Sequence, residues 1–181
     1  MQIKRTHLAA CGLTALAASC LVFAEQEMPP MPTPVTSPDF EKVKSLAGTW
    51  EGTATHHDGE PEPTTFTYRV TAGGTAVIET EFAGTEHEMV TVYHMVDDQL
   101  VLTHYCMLGN QPTMAVQLDD DPDTMRFEFT GGSNISSEND WHMHSVDMAF
   151  TDDDHLTAKW TSHMDGQPGP SAVVELQRKA D

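Results

Sequence analysis

From residue 48 onward the chain alternates apolar and polar positions in short runs, each closed by glycine or by acidic residues. A period of two is the mark of strands that bury one face. It predicts strands over 48–57, 64–71, 75–82, 86–96, 100–108, 112–118, 124–129, 141–150, 155–164 and 171–178. The connections Asp58-Gly59, Gly73-Gly74, Ala83-Gly84, Asp97-Asp98, Gly109-Asn110, 119–123 and 152–154 have hairpin chemistry. Two stretches, 131–140 and 165–170, read as longer loops of the kind that form rims or lids. One helical stretch precedes the strands: Phe40, Val43 and Leu46 share a face, with Ser37 or Asp39 placed to cap it. The expectation is an all-β fold, an antiparallel up-and-down barrel of about ten strands with a short N-terminal helix over one end.

Composition changes what counts as the folded unit. Residues 1–24 begin with Lys4 and Arg5, continue as an apolar stretch and end in Val22-Phe23-Ala24, the order of a secretory signal cleaved before Glu25. A retained membrane anchor would want a longer apolar run. Cys20 in Ala17-Ala18-Ser19-Cys20 offers lipoprotein processing as an alternative, although Ala17 stands where lipidation prefers Leu or Val. Residues 25–38 hold five prolines and form a linker, which leaves 39–181 as one domain. The expected location is outside the cytoplasm, periplasmic or secreted.

Removing the leader takes two of the nine cations and none of the twenty-eight acids, so the mature chain sets seven cations against twenty-eight acids, a formal charge of −21. Such a field repels nucleic acid and anionic membranes. The acidic turns lack the spacing of a twelve-residue calcium loop and read as solvated corners. Cys11 and Cys20 fall in the leader, so Cys106 is the single thiol of the domain and no internal disulfide is available.

The run Leu46-Ala47-Gly48-Thr49-Trp50-Glu51-Gly52 followed by a ten-strand meander resembles the calycin-type barrels, including lipocalins, fatty-acid-binding proteins and an uncharacterised bacterial family of exported lipocalin-like domains. His87-Glu88-Met89-Val90, Leu102-Thr103-His104-Tyr105-Cys106 and Gly109-Asn110-Gln111-Pro112 also resemble that bacterial family. More distantly, Gly48, Trp50 and Gly52 match the opening strand of nitrobindin-type barrels. Those proteins place a heme-ligating histidine towards the closing strand, where 171–178 has none. The resemblance implies a barrel that binds a small ligand and names no activity.

A two-residue turn at Asp97-Asp98 sets Val96 against Gln99, Thr91 against His104 and Met89 against Cys106. The mostly apolar face of that hairpin, with Met89, Thr91, Tyr93, Leu102, His104 and Cys106, is read as inward. His104, Cys106 and Met89 then make a soft set suited to Cu(I) or heme iron, with packing as the simpler reading of Cys106 and Met89. A second cluster, His142, His144 and His163, brings three imidazoles to one end of the sheet and suits zinc or copper. The opposite face of that hairpin, with Trp141, Met143, Ala149, Leu156, Ala158, Trp160 and Met164, is the more apolar, so the histidines are expected to face solvent. Motifs for nucleophile elbows, zinc proteases and phosphate loops are absent. A reactive thiol at Cys106 would need an orienting group and an electropositive site.

The resulting expectation is a monomeric, exported, non-enzymatic barrel holding a small apolar or amphipathic molecule, with no resident cofactor. Trp50 would close one end, and Tyr68, Met89, Tyr93, Leu102, His104, Cys106 and Trp160 would line the lumen. The alternative is an envelope protein that binds copper or heme.

Overall fold

The computed structural model describes residues 30–31, 33–117 and 121–180. The expected signal sequence and Cys20 lie outside the described residues. From residue 33 the chain forms one helix, α1 (Pro38–Ser45), and ten strands: β1 (Gly48–His56), β2 (Glu62–Thr71), β3 (Ala76–Glu81), β4 (Met89–Val96), β5 (Gln99–Tyr105), β6 (Gln111–Gln117), β7 (Thr124–Ser133), β8 (His142–Asp152), β9 (His155–Met164) and β10 (Gln167–Arg178). Each strand pairs antiparallel with its sequence neighbours, and β10 returns to pair with β1, closing the barrel. The all-β expectation therefore holds, with ten strands and one short helix.

Local chemistry sets the helix. The Ser37 hydroxyl accepts from the Phe40 amide at 3.1 Å, Pro38 stands in the first turn, and acids precede bases along the axis. Phe40 and Val43 are buried in the barrel end that α1 covers. Trp50 seals the same end: its indole N–H donates to the Leu46 carbonyl at 2.8 Å, and the Arg178 guanidinium lies 4.3 Å above its ring. Arg178 also donates to the carbonyls of Ser45, Ala47 and Asp153, tying the helix exit to the β8–β9 turn. Above this floor the lumen is solid with Phe66, Tyr93, Leu102, Met114, Phe127 and Met148, each essentially inaccessible to solvent.

The β4–β5 hairpin has the expected register, Val96 against Gln99 and Thr91 against His104. The long loops differ from expectation. β7 continues through Ser133, and only two residues, Asp165 and Gly166, join β9 to β10. Both have positive φ, 55° and 71°, the conformation of a tight Asp-Gly hairpin turn. Pro168 is accommodated by an irregularity before Ser171 rather than by a loop.

The β8–β9 pairing carries two further irregularities, the first between Met143 and Ser145. A bulge of one residue reverses which side chains face inward. Val146, Met148 and Phe150 therefore enter the core opposite Trp160, Ala158 and Leu156. The expectation that Ala149 and Trp141 belong to the buried set is corrected: Ala149 pairs with outward Thr157, and Trp141 is 46% exposed. Met164 is likewise exposed.

Barrel closure requires Gly52. A Cβ there would lie 1.8 Å from the Glu175 carbonyl oxygen on β10. Gly52→Ala must push β1 and β10 apart, and a loss of about 2–3 kcal/mol is expected in urea unfolding. An unchanged midpoint would show that the seam gives way at no cost.

Candidate functional site

Strand β3 alternates so that Val77, Glu79 and Glu81 point inward. Two carboxylates with 1% and 2% exposure are thereby placed inside the barrel, where isolated charges are costly. Each has dedicated partners. The Tyr68 and Tyr93 hydroxyls donate to the two oxygens of Glu79 at 2.7 and 2.6 Å. One layer nearer the far end, the Thr91 hydroxyl donates to Glu81 Oε1 at 2.6 Å. His104 Nδ1 lies 2.8 Å from the Thr91 oxygen and 3.1 Å from Glu81 Oε1. Because the Thr91 proton is committed to Glu81, its oxygen accepts, and Nδ1 of His104 must be the protonated nitrogen.

The proton balance follows from this packing. Burial and the charge on Glu81 push the Glu79 carboxyl up to about 8, against the two tyrosine hydrogen bonds that lower it. When Glu79 is protonated, Met148 Sδ, 3.9 Å from the Tyr93 oxygen, offers that hydroxyl another acceptor. Burial works against a charged His104, yet the Glu81 carboxylate and the Cys106 side chain outweigh it and raise the imidazole to about 10. Burial and neighbouring Glu79 also hold both tyrosine phenols well above their usual range.

Glu81 and His104 form part of the wall of a cavity of about 200 Å³ at the barrel end opposite α1. The wall is otherwise largely apolar, with Phe66, Phe82, Met89, Met143, Trp160 and Val174 among its residues. Cys106, in the turn after β5, lines it too. Trp160 lies over His104, ring centres 4.8 Å apart, and its Nε1–H is buried with no partner among the described residues.

Of the seven residues expected to line the lumen, Met89, His104, Cys106 and Trp160 meet in this cavity. Tyr68, Tyr93 and Leu102 lie in the packed interior below it, and Trp50 closes the α1 end. Glu79 and Glu81 escaped the sequence reading because Ala76 and Ile78 make the other face of β3 look like the inner one. The available signal was register: Glu79 lies opposite both Tyr68 and Thr91.

The three histidines on β8 and β9 do gather together, but the expectation that they face solvent is corrected for His142, while His144 and His163 are partly exposed. His142 is fully buried, packed on Phe129 at 4.3 Å between ring centres, and its Nδ1 donates to the Asp140 carbonyl at 2.7 Å. Phe129 on β7 and the Asp140 carbonyl just before β8 border the ring. His142 Nε2 then accepts from His144 Nδ1 at 3.1 Å. His144 and His163 stack face to face, 3.5 Å apart and 2° from parallel. Stacked rings direct their nitrogens along parallel planes, and no three His, Cys, Asp or Glu side chains among the described residues are arranged to hold a metal ion.

No family model matches the chain, and no curated protein does. Solved structures do share the fold. The crystal structure of Rv2717c from M. tuberculosis superposes with a TM-score of 0.52 at 15% identity, covering 80% of this chain and 99% of that one. A DUF3598-family protein of unknown function from Nostoc punctiforme superposes at 0.50 and 12% identity over 81% of this chain. This chain spans about half, 51%, of the latter's length. These likenesses support a closed antiparallel barrel and carry the fold alone. Among the described residues no helix is long and apolar enough to cross a membrane.

Raised values for both Glu79 and His104 mean that the folded protein binds more protons than the unfolded chain. Their stabilisation is complete below the unfolded values of 4.5 and 6.5 and is lost as pH rises through about 8 and about 10. Urea midpoints should fall steadily from pH 6 to 10, where surface carboxylates no longer titrate. Glu79→Gln should flatten the part of that decline below pH 8, and an equally steep decline in the variant would remove Glu79 as its source.

Proposed function

We propose that this protein is an exported, monomeric barrel that reversibly binds a compact amphipathic molecule in the end of its lumen opposite α1. The observation that carries the reading is the apolar-walled cavity of about 200 Å³ whose wall presents the buried Glu81–His104 pair. Small-molecule sites combine an apolar wall with a few placed polar groups. An engineered apolar cavity of about 150 Å³ holds benzene, so the space suits a ring or short chain and is too small for a long acyl chain. The ligand's carbon frame would lie against Phe66, Phe82 and Met89.

The copper or heme reading draws on His104, Cys106 and Met89, or on the outer histidines. It has less support, because Nδ1 of His104 is engaged by Thr91 and Glu81 and the outer imidazoles are stacked on one another.

Titration calorimetry with cyclohexanone as the compact probe and hexadecanoate as the long-chain comparator tests the reading. One-to-one binding of cyclohexanone is expected, insensitive to chelator and weakened about tenfold or more by Ala172→Phe, which grows into the cavity from β10. Binding untouched by Ala172→Phe would place the ligand elsewhere, and binding abolished by chelator would turn the reading towards metal.

Export rests on the leader and has its own check. Intact mass of protein taken from the host's envelope should correspond to a chain beginning at Glu25. A diacylated species beginning at Cys20 would make it a lipoprotein, and an uncleaved chain would count against export.

A further inference from the structure

Glu81 is the one carboxylate in the cavity wall, and only one of its oxygens is used. The Thr91 hydroxyl and His104 Nδ1 both turn to Oε1. Oε2 has no hydrogen-bond partner among the described residues. Three partnerless side-chain atoms among those residues are sealed from any water-sized probe: Thr64 Oγ1, Asn110 Oδ1 and Trp160 Nε1. Oε2 is not one of them and so keeps open surface. Glu81 is only 2% exposed, and the open space it borders is the cavity. A carboxylate oxygen facing an apolar hollow without a donor is an acceptor left to the ligand.

The layer below shows what kind of donor such an oxygen takes. There both oxygens of Glu79 are satisfied by phenols, Tyr68 on β2 and Tyr93 on β4, at 2.7 and 2.6 Å. Two residues along each strand, in the layer of Glu81, the inward positions are Phe66 and Thr91. Thr91 still donates, to Oε1. Phe66 has the ring of a tyrosine without the hydroxyl, and the oxygen left over is Oε2.

Charge and shape select in the same direction. An anionic ligand would meet the carboxylate and the field of a strongly acidic chain. A cationic one would meet the His104 imidazolium, which stands 3.1 Å from the same carboxylate and already offsets it. A neutral O–H adds no charge to a balanced pair and makes a short, strong bond to a carboxylate. Phe66 and Phe82 meet edge to face, ring centres 5.3 Å apart, and Trp160 and the thioethers of Met89 and Met143 complete much of the wall. Aromatic edges and thioether sulfurs favour a flat aromatic ring. About 200 Å³ takes one such ring with its substituent, since about 150 Å³ holds benzene.

We infer that the cavity is a site for small phenols, with the ring against the aromatic wall and the hydroxyl donating to Glu81 Oε2. This inference rests on the lumen-binding reading and names its ligand class. Binding is non-covalent: a phenol, with the acidity of a tyrosine side chain near about 10, keeps its proton beside a carboxylate.

Titration calorimetry on the mature protein compares phenol with anisole, which has the ring without the donor, and with cyclohexanol, which has the donor without the aromatic ring. Phenol should bind one to one, at least about tenfold more tightly than either. Ala172→Phe should weaken it as it weakens cyclohexanone. Glu81→Gln should weaken phenol about tenfold or more and abolish its lead over anisole. Phe66→Tyr supplies the missing hydroxyl from the wall and should abolish the same lead with Glu81 in place. It keeps the test decisive if Glu81→Gln fails to fold. Anisole binding as tightly as phenol would overturn the inference and leave the lumen reading standing. Cyclohexanol matching phenol would also overturn it, by making the site one for alcohols at large. A lead for phenol that survives both variants would place the hydroxyl on another group. Failure of phenol, anisole and cyclohexanone alike would overturn the inference and the lumen reading together.

Discussion

Two carboxylates and one imidazole share the inside of this barrel, and their charges must nearly cancel there. In a low-dielectric interior a second uncompensated anion is far more costly than a retained proton. His104 answers Glu81, and Glu79 keeps its proton near neutrality. Most of the polar geometry follows. Tyr68, Tyr93 and Thr91 are placed to satisfy the oxygens, and the Thr91 hydroxyl fixes Nδ1 of His104 as a donor. A network of this kind is favourable only when every member is satisfied, so the strands that carry it, β2 to β5, are held in one register by their polar atoms as well as by packing.

The barrel is built asymmetrically along its axis. At the α1 end, Phe40, Trp50 and the Arg178 hydrogen bonds make a closed floor. The opposite end has no helix, and its turns present Met107, Trp141 and Met164 with substantial exposure. Stability is concentrated in the lower half, where aromatic and methionine side chains fill the lumen. The upper half leaves space, and there the sequence spends glutamate, histidine and cysteine in place of leucine. Protein interiors are close-packed, so a hollow with convergent polar groups marks the part of the fold that packing alone does not explain.

How much of this was legible in the chain depended on whether one strand or two neighbours set the outcome. The β4–β5 face could be read because the Asp97-Asp98 turn dictates pairing by count, and Met89, His104 and Cys106 emerged together. The Gly-x-Trp strand announced the seam, and the structure adds the reason for Gly52 in the approach of the Glu175 carbonyl. Elsewhere local pattern misled. Asp165-Gly166 is a hairpin signal that the surrounding prolines made look like a loop. One extra residue on β8 reversed the inner and outer faces for the rest of that strand, and no alternation count within a single strand reveals a bulge. Glu79 and Glu81 were hidden because burial of an acid is decided by its cross-strand partners. His142 was read onto the outer face, yet it packs on Phe129 of the neighbouring strand, a contact that no alternation count within β8 reveals.

The sealed floor beneath the cavity has a kinetic meaning. A lumen blocked at one end by Trp50 and Arg178 is a dead-end compartment, so arrival and departure share a single mouth. An incoming molecule cannot push the occupant onward. Exchange must wait for spontaneous departure.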